Sequence, residues 1–292
     1  MQLENKKGDL VHFQYDTLLP AALELLIVNN ILSAPIFNSM DGLVQVSGQL
    51  DMIGICDFVI KKFGHLNSNS SEAQFSAIQK VFQSTTVGSL IEQLDQTFCP
   101  VPEDARLSEL LPLLSVYELH RVPVIGKTGE VVRVISQSDL VHHLGKHIPA
   151  TLASKKLEYF DLIKKQVFSV GLDQLAIEAF KLITIERVSA VGVVDGTGRL
   201  VGNISATDIR SVGMNATFSS RLFWSVEKFL NCKSVEFQAP KEVLSVTMQT
   251  SFKDIVDLVL RFHLHRVYVT DKAKKPIGIV SLTDILKIIQ TQ

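Results

Sequence analysis

One pattern recurs along this 292-residue chain, and it limits the fold more than any other feature of the sequence. From His120 the chain reads HRVPVIGKTGEVVRVISQSDL, from Glu186 ERVSAVGVVDGTGRLVGNISATDI, and from His265 HRVYVTDKAKKPIGIVSLTDI. In each segment a basic residue precedes a β-branched run, a polar Gly/Lys turn follows, and a second β-branched run closes on Ser-x-[Ser/Thr]-Asp. Two such runs about a polar turn predict a β-hairpin. The apolar periodicity after the Asp predicts a helix.

A second helical pattern lies upstream of each hairpin. Phe252, Ile255, Val256, Val259 and Phe262 fall on one face behind a Ser251 N-cap, as do Leu107, Leu110, Leu111 and Leu114, and Leu175, Ala179, Phe180 and Ile183. A weaker first copy has a helix opening at Thr17-Leu18, a strand at SAPIF, and a hairpin ending in MIGICDF at Asp57. Asp57, Asp139, Asp208 and Asp284 are therefore expected to be equivalent, at intervals of roughly 70 to 80 residues, too wide for a small solenoid repeat. The polar stretch GHLNSNSSEAQ in the first interval is followed by a predicted short helix over Phe75–Phe82. The expected fold is α+β: four β-α-β-β-α repeats in two tandem pairs, 1–150 and 151–292, with a polar insertion near 64–96.

Two constellations carry chemistry. The first is the hydroxyl-rich strand-to-helix junction: Ser136 with Asp139, Ser205 and Thr207 with Asp208, and Ser281 and Thr283 with Asp284. Unsatisfied N–H groups at a helix start favour an anion, hydroxyls add donors, and the carboxylate matches the vicinal hydroxyls of a ribose. The same residues are also the preferred helix caps, so cap and ribose ligand both stay open for each copy. The second constellation is basic: His120-Arg121 and His265-Arg266 at one register, with the third copy keeping only Arg187 after Glu186. A guanidinium meets a phosphate bidentately and an imidazole can add a bond, whereas a solvated pair at a helix C-terminus is the plainer reading.

Charge and composition bear on the partners. With 29 basic and 30 acidic residues the net charge is -1, which argues against whole-surface attraction to nucleic acid or an anionic membrane. Any bound anion must be held by local groups. The apolar residues come in bursts too short to span a bilayer, and MQLENKKGDLVHF lacks a secretion signal. Cys56, Cys99 and Cys232 have no ligand spacing and read as thiols of a reducing compartment. His142, His143 and His147 have no acid to complete a metal site, so no metal is expected. The chain has no P-loop, GxSxG, HExxH or CxxC, and an enzyme is not expected.

These residues resemble CBS (cystathionine beta-synthase) domains across nearly the whole chain. HRVPVI, ERVSAV followed by DGTGR, SVEKFLNCKS and HRVYVTDKAKKPIGIVSLTDIL are similar to the gamma regulatory subunits of AMP-activated protein kinases. The resemblance implies paired repeats with clefts that bind AMP, ADP or ATP as a regulatory ligand, and no metal or redox cofactor. It would place Asp208 and Asp284 on ribose beside Ser205, Ala206, Thr207, Ser281, Leu282 and Thr283, with Ser136 and Asp139 as the second-repeat counterpart. It would set His120, Arg121, His265, Arg266 and Lys233 on phosphates, and backbone of Val188 and Ser189 near adenine. It implies a non-catalytic kinase regulatory subunit, partnered by a catalytic subunit and a beta-type scaffold, in the cytoplasm and also the nucleus. A stand-alone CBS protein that binds an adenosyl ligand and regulates another target, or an adaptor with empty clefts, are the alternatives. Departures from that family are Gly54-Ile55-Cys56-Asp57 without hydroxyls, Leu32 where an arginine can stand, Ser138-Asp139 for a basic pair, and Glu186 for a histidine.

Overall fold

A computed structural model describes residues 10–40, 43–66, 70–94, 98–160, 166–212, 221–236 and 243–291. The β-branched runs form four three-stranded sheets with one topology. In each, a short first strand lies parallel to the middle strand, which pairs antiparallel with the third. A parallel pair needs a crossover, and the upstream helix of each repeat supplies it: Leu19–Val28, Leu107–Ser115, Ala176–Ile185 and Phe252–Phe262. The middle and third strands are Ser33–Met40 with Leu43–Asp51, Arg121–Ile125 with Val131–Ser136, Ala190–Val194 with Leu200–Ser205, and Arg266–Thr270 with Pro276–Ser281. The expected strand-helix-hairpin-helix unit is present four times, although the third repeat closes on a 3-10 helix, Ala206–Val212.

Three local features recur at matching positions and set the repeats in register. The crossover helix ends at a left-handed residue, Asn30, Glu118, Arg187 or His263, with φ of 49°, 57°, 53° and 51°. The next amide reaches back into the helix, Ile31 to Leu26, Leu119 to Leu113, Val188 to Ile183 and Leu264 to Val259, at 3.0–3.1 Å. Such a left-handed stop satisfies carbonyls that the helix leaves open. The following carbonyl, of Leu32, His120, Ser189 or His265, accepts the amide just past the third strand, from Met52, Gln137, Ala206 or Leu282. A β-bulge then interrupts every hairpin at the same step, after Ile36, Val124, Val193 and Val269.

This register corrects the sequence expectation in two repeats. In the third, Ser189-Ala190 occupies the His-Arg position, while Arg187 is the residue that stops the helix; the ERV and HRV triplets look alike but lie three residues apart structurally. In the first, MIGICDF is helix rather than hairpin end. Met52–Phe63 is helical, Asp51 is its N-cap through Gly54 N–H at 2.8 Å, and Gly54 stands where the other repeats carry Asp. Asp57 lies a turn further on, paired with Lys61 at 2.7 Å. Left-handed backbone costs a non-glycine residue ~1 kcal/mol or more, so Arg187→Gly is expected to raise stability by up to ~1 kcal/mol, read as a higher melting temperature.

The chain forms two compact units that take alternate repeats. Residues 1–10, 97–167 and 244–292 make one, here the even unit, with the second and fourth repeats; 11–96 and 168–243 make the odd unit, with the first and third. The expected division near residue 150 follows chain order, and residue 150 falls inside a continuous stretch of the even unit. In the even unit, helix Leu282–Gln290 packs on helices Leu107–Ser115 and Gln137–Leu144 around Leu114, Leu140, Phe252, Ile255 and Ile285. Ser115 Oγ donates to Gln290, Lys287 pairs with Glu118 at 2.5 Å, and Gln137 Nε2 donates to Thr283 Oγ1 at 2.8 Å, tying the two repeats. In the odd unit, helix Met52–Phe63 packs on Ala176–Ile185 and on the 3-10 helix, around Phe13, Leu23, Phe63, Phe180 and Phe229. The predicted insertion helix runs Glu72–Ser84, opened by a Ser71–Gln74 capping box and anchored by buried Phe82. Part of the polar loop before it, 67–69, lies outside the described residues.

Candidate functional site

The site residues gather where the third strand of each repeat meets its second helix. At Ser136 and Ser281 the hydroxyl accepts the amide of Asp139 or Asp284 at 3.2 Å, while the Asp Oδ2 takes both the serine N–H at 2.9 Å and the serine Oγ–H at 2.6 and 2.7 Å. Ser205 and Asp208 share the carboxylate half of this pattern, at 2.8 and 3.0 Å. The full capping box is thus realised at Ser136 and Ser281, and in all three copies the serine hydroxyl lies within hydrogen-bonding distance of the carboxylate. Asp284 and Asp208 are buried and Asp139 half-buried. Thr207 Oγ1 lies 2.8 Å from Ser205 Oγ, and Thr283 Oγ1 accepts from Gln137. Ala206 and Leu282 are the buried first residues past their strands, and their amides close the register bonds to Ser189 and His265. Val188 spends its amide on the helix stop, so of the two residues expected near adenine both have a backbone group engaged within the repeat. Lys233 lies in helix Val226–Glu236; its side chain lies outside the described residues.

Both basic pairs belong to the even unit. Arg121 faces Ser136 across its hairpin, and Arg266 faces Ser281 in the same way. A chain of hydrogen bonds then links the pairs: His120 C=O accepts from Gln137 N–H, the Gln137 side chain donates to Thr283, and Leu282 N–H donates to His265 C=O. His265 remains open to solvent. Desolvation by surrounding protein, then repulsion from Arg266, Arg121 and His120, nevertheless lowers its pKa to about 4. The imidazole is thus neutral at physiological pH.

The odd unit carries Leu32-Ser33 and Ser189-Ala190 at these positions, without a cation. The charges near its buried Cys56 are acidic: burial first, then Asp57, Asp208 and Asp51, hold that thiol far above its ordinary range. Sequence reading missed Asp51 and Gln137. Asp51 was signalled by an acceptor just ahead of an apolar helical run; Gln137, buried and bonded to Leu114 C=O and Thr283, fills the variable position of the motif and gave no signal. Trp224, expected in a core or interface, is half-buried, with Lys228 Nζ 4.1 Å from its ring centroid and Arg221 at 5.5 Å. His143 and His147 have ring centroids 6.0 Å apart, and no group of three metal-ligating side chains forms among the described residues. No helix among them is long and apolar enough to cross a membrane.

Fourfold β-α-β-β units with capped strand-to-helix junctions define a repeat protein of one family. The CBS domain family matches residues 85–146, 160–215 and 237–291, the second, third and fourth repeats and more than half of the chain; the chain belongs to it. It is similar to the gamma subunit of 5'-AMP-activated protein kinase from Dictyostelium discoideum, 25% identical over 96% of this chain and 49% of that one. The Arabidopsis thaliana SNF1-related protein kinase regulatory subunit gamma-1-like is 28% identical over 71% of this chain and 50% of its own length. The Kluyveromyces lactis gamma subunit is 25% identical, with 96% and 85% covered. The chain thus spans about half the length of the first two relatives, and is gamma-subunit-like across most of its own. Protein MJ1225 from Methanocaldococcus jannaschii shares the fold at a TM-score of 0.77 and 16% identity, over 97% of this chain and 96% of that one.

Proposed function

We propose that this chain is a non-catalytic, adenine-nucleotide-sensing regulatory subunit of a protein kinase complex. The observation that carries the reading is the even unit's pair of His-Arg steps, each set by strand register beside a Ser-x-[Ser/Thr]-Asp cap. Two charged, hydroxyl-bearing junctions of this kind suit a ligand with a phosphate at one end and a ribose diol at the other. The relatives named as kinase gamma subunits support the same reading. AMP, ADP or ATP is the regulatory ligand, a catalytic subunit and a beta-type scaffold are the partners, and the cytoplasm, with the nucleus, is the compartment. Lys233 is assigned to phosphate, and Val188 and Ser189 to the adenine side.

A stand-alone adenosyl-binding role is the second reading. It is favoured by one observation: the odd unit has no basic residue at the two positions where each even-unit repeat has His-Arg, so its junctions suit a ligand without phosphate. Retention of a kinase catalytic subunit on the tagged chain separates the two.

Arg266→Ala is expected to weaken AMP binding by roughly 5- to 150-fold, from loss of ~1–3 kcal/mol of charge-assisted bonding. Arg187→Gly, by contrast, is expected to leave AMP affinity at the wild-type value, since Arg187 ends a helix. Calorimetric titration of both variants checks this. An unchanged curve for Arg266→Ala returns that pair to a solvated surface role.

A further inference from the structure

We propose that the two His-Arg pairs of the even unit form one proton-coupled oxyanion site, in which His265 takes up a proton as the anion arrives. The inference deepens the nucleotide reading and rests on its assignment of both pairs to phosphate.

His120 and His265 occupy the same register position in two repeats of one unit, and backbone and side-chain hydrogen bonds through Gln137, Thr283 and Leu282 hold their strand ends together. His265 is accessible, so a ligand can reach it. Arg266 follows it in its own strand, and His120 and Arg121 approach from the second repeat; all three disfavour a proton on His265. Asp139 and Asp284 cap the helices that abut these strands, and each is engaged by its serine. Glu118, two residues before His120, is paired with Lys287. Despite these acids, desolvation first and then the three basic neighbours hold the His265 pKa at about 4.

A site built this way holds back its last cation until it is needed. A dianion brought among Arg121, Arg266 and His120 offsets the repulsion that adds to desolvation in keeping His265 neutral, and its own charge favours the imidazolium. Protonation then adds a charge-assisted N–H donor to the anion. The proton comes from solvent, the imidazole nitrogen lone pair receives it, and no other bond changes. By linkage, the complex binds more protons than the free protein, so anion affinity must rise as pH falls. The ligand-free protein shows the opposite sign. Its unfolded chain protonates this histidine near 6.5 and its folded form only near 4, so this contribution to stability is lost as pH falls through that window.

The test uses the full chain, with sulfate as the probe because AMP's own phosphate titrates at about pH 6. His265 is followed by NMR, its signal assigned by absence in His265→Gln. Saturating sulfate is expected to raise its pKa by at least about one unit, and sulfate should bind about tenfold tighter at low pH than near neutrality, one proton allowing at most tenfold per pH unit. His265→Gln should bind sulfate more weakly at low pH and lose the pH dependence. AMP is titrated in parallel. AMP binding with an unmoved His265 overturns the proton coupling and leaves the nucleotide reading standing. A sulfate-shifted His265 in a protein that ignores AMP keeps the anion site and removes the nucleotide reading. pH dependence that survives His265→Gln but disappears in His120→Gln puts the proton on the wrong residue and overturns the assignment.

Discussion

Asp284→Ala is expected to abolish one nucleotide-binding event and to lower the ligand-free melting temperature in the same protein. The carboxylate is fully buried and accepts both the N–H and the Oγ–H of Ser281, at 2.9 and 2.7 Å. Its removal opens the capping box and costs ~1–2 kcal/mol of stability. Loss of two charge-assisted bonds to a ribose diol costs ~3 kcal/mol or more of binding, roughly 150-fold. Asp284→Asn separates the two roles, because the amide oxygen can still cap the helix while the charge is gone. It should recover most of the melting temperature and little of the affinity. Asp208→Ala, with cap bonds of 2.8 and 3.0 Å, is expected to behave like Asp284→Ala. Asp57→Ala should alter neither observable by much: it breaks a single i,i+4 pair with Lys61, a contact worth ~0.3–0.5 kcal/mol. Titration and melting of the four variants decide the matter. Alanine variants that melt lower yet bind AMP like wild type would reduce these aspartates to helix caps.

The largest effect on stability is expected from Phe180→Ala. Phe180 is wholly buried in the odd unit and packs edge-on against Phe229, with ring centroids 5.8 Å apart. Truncating a phenylalanine in such a core costs ~3–5 kcal/mol, part transfer and part residual cavity. The chain's one tryptophan, Trp224, belongs to the same unit, so its fluorescence reports that core. Phe252 is equally buried in the even unit, and the described cores share no residue. Phe180→Ala should therefore move the fluorescence-detected denaturation midpoint strongly. Phe252→Ala should act first on the far-UV circular dichroism transition. Identical responses of both probes to both variants would contradict two separate cores.

Much of this structure can be read from the residues. The period-2 and 3.6-period patterns, the polar turns and the Ser251 and Ser281 caps specify the strands and helices, because each is a local signal. What could not be read depends on backbone conformation or on long-range packing. The helix stop is Asn30, Glu118, Arg187 or His263, four unlike residues with no glycine among them, so sequence similarity pulled Arg187 onto the His-Arg position. Counting back from the capping serine gives the correct register, since Arg121–Ser136, Ala190–Ser205 and Arg266–Ser281 are equal in length. In the first repeat an apolar helix, Met52–Phe63, mimics a hairpin strand, and its Asp51 cap is the legible clue. The alternation of repeats between units rests on which helix faces meet, a choice that no single repeat encodes. The Gln137–Thr283 contact is the same kind of long-range fact.

The most direct measurement is calorimetric titration of the full chain with AMP, ADP and ATP, each in turn. Saturable binding is predicted, with AMP competing against the other two and Arg266→Ala weakening the response by the factor given above. No turnover of ATP should accompany it. Titrations that show no saturable binding of any of the three, by a protein that melts cooperatively, would contradict an adenine-nucleotide sensor.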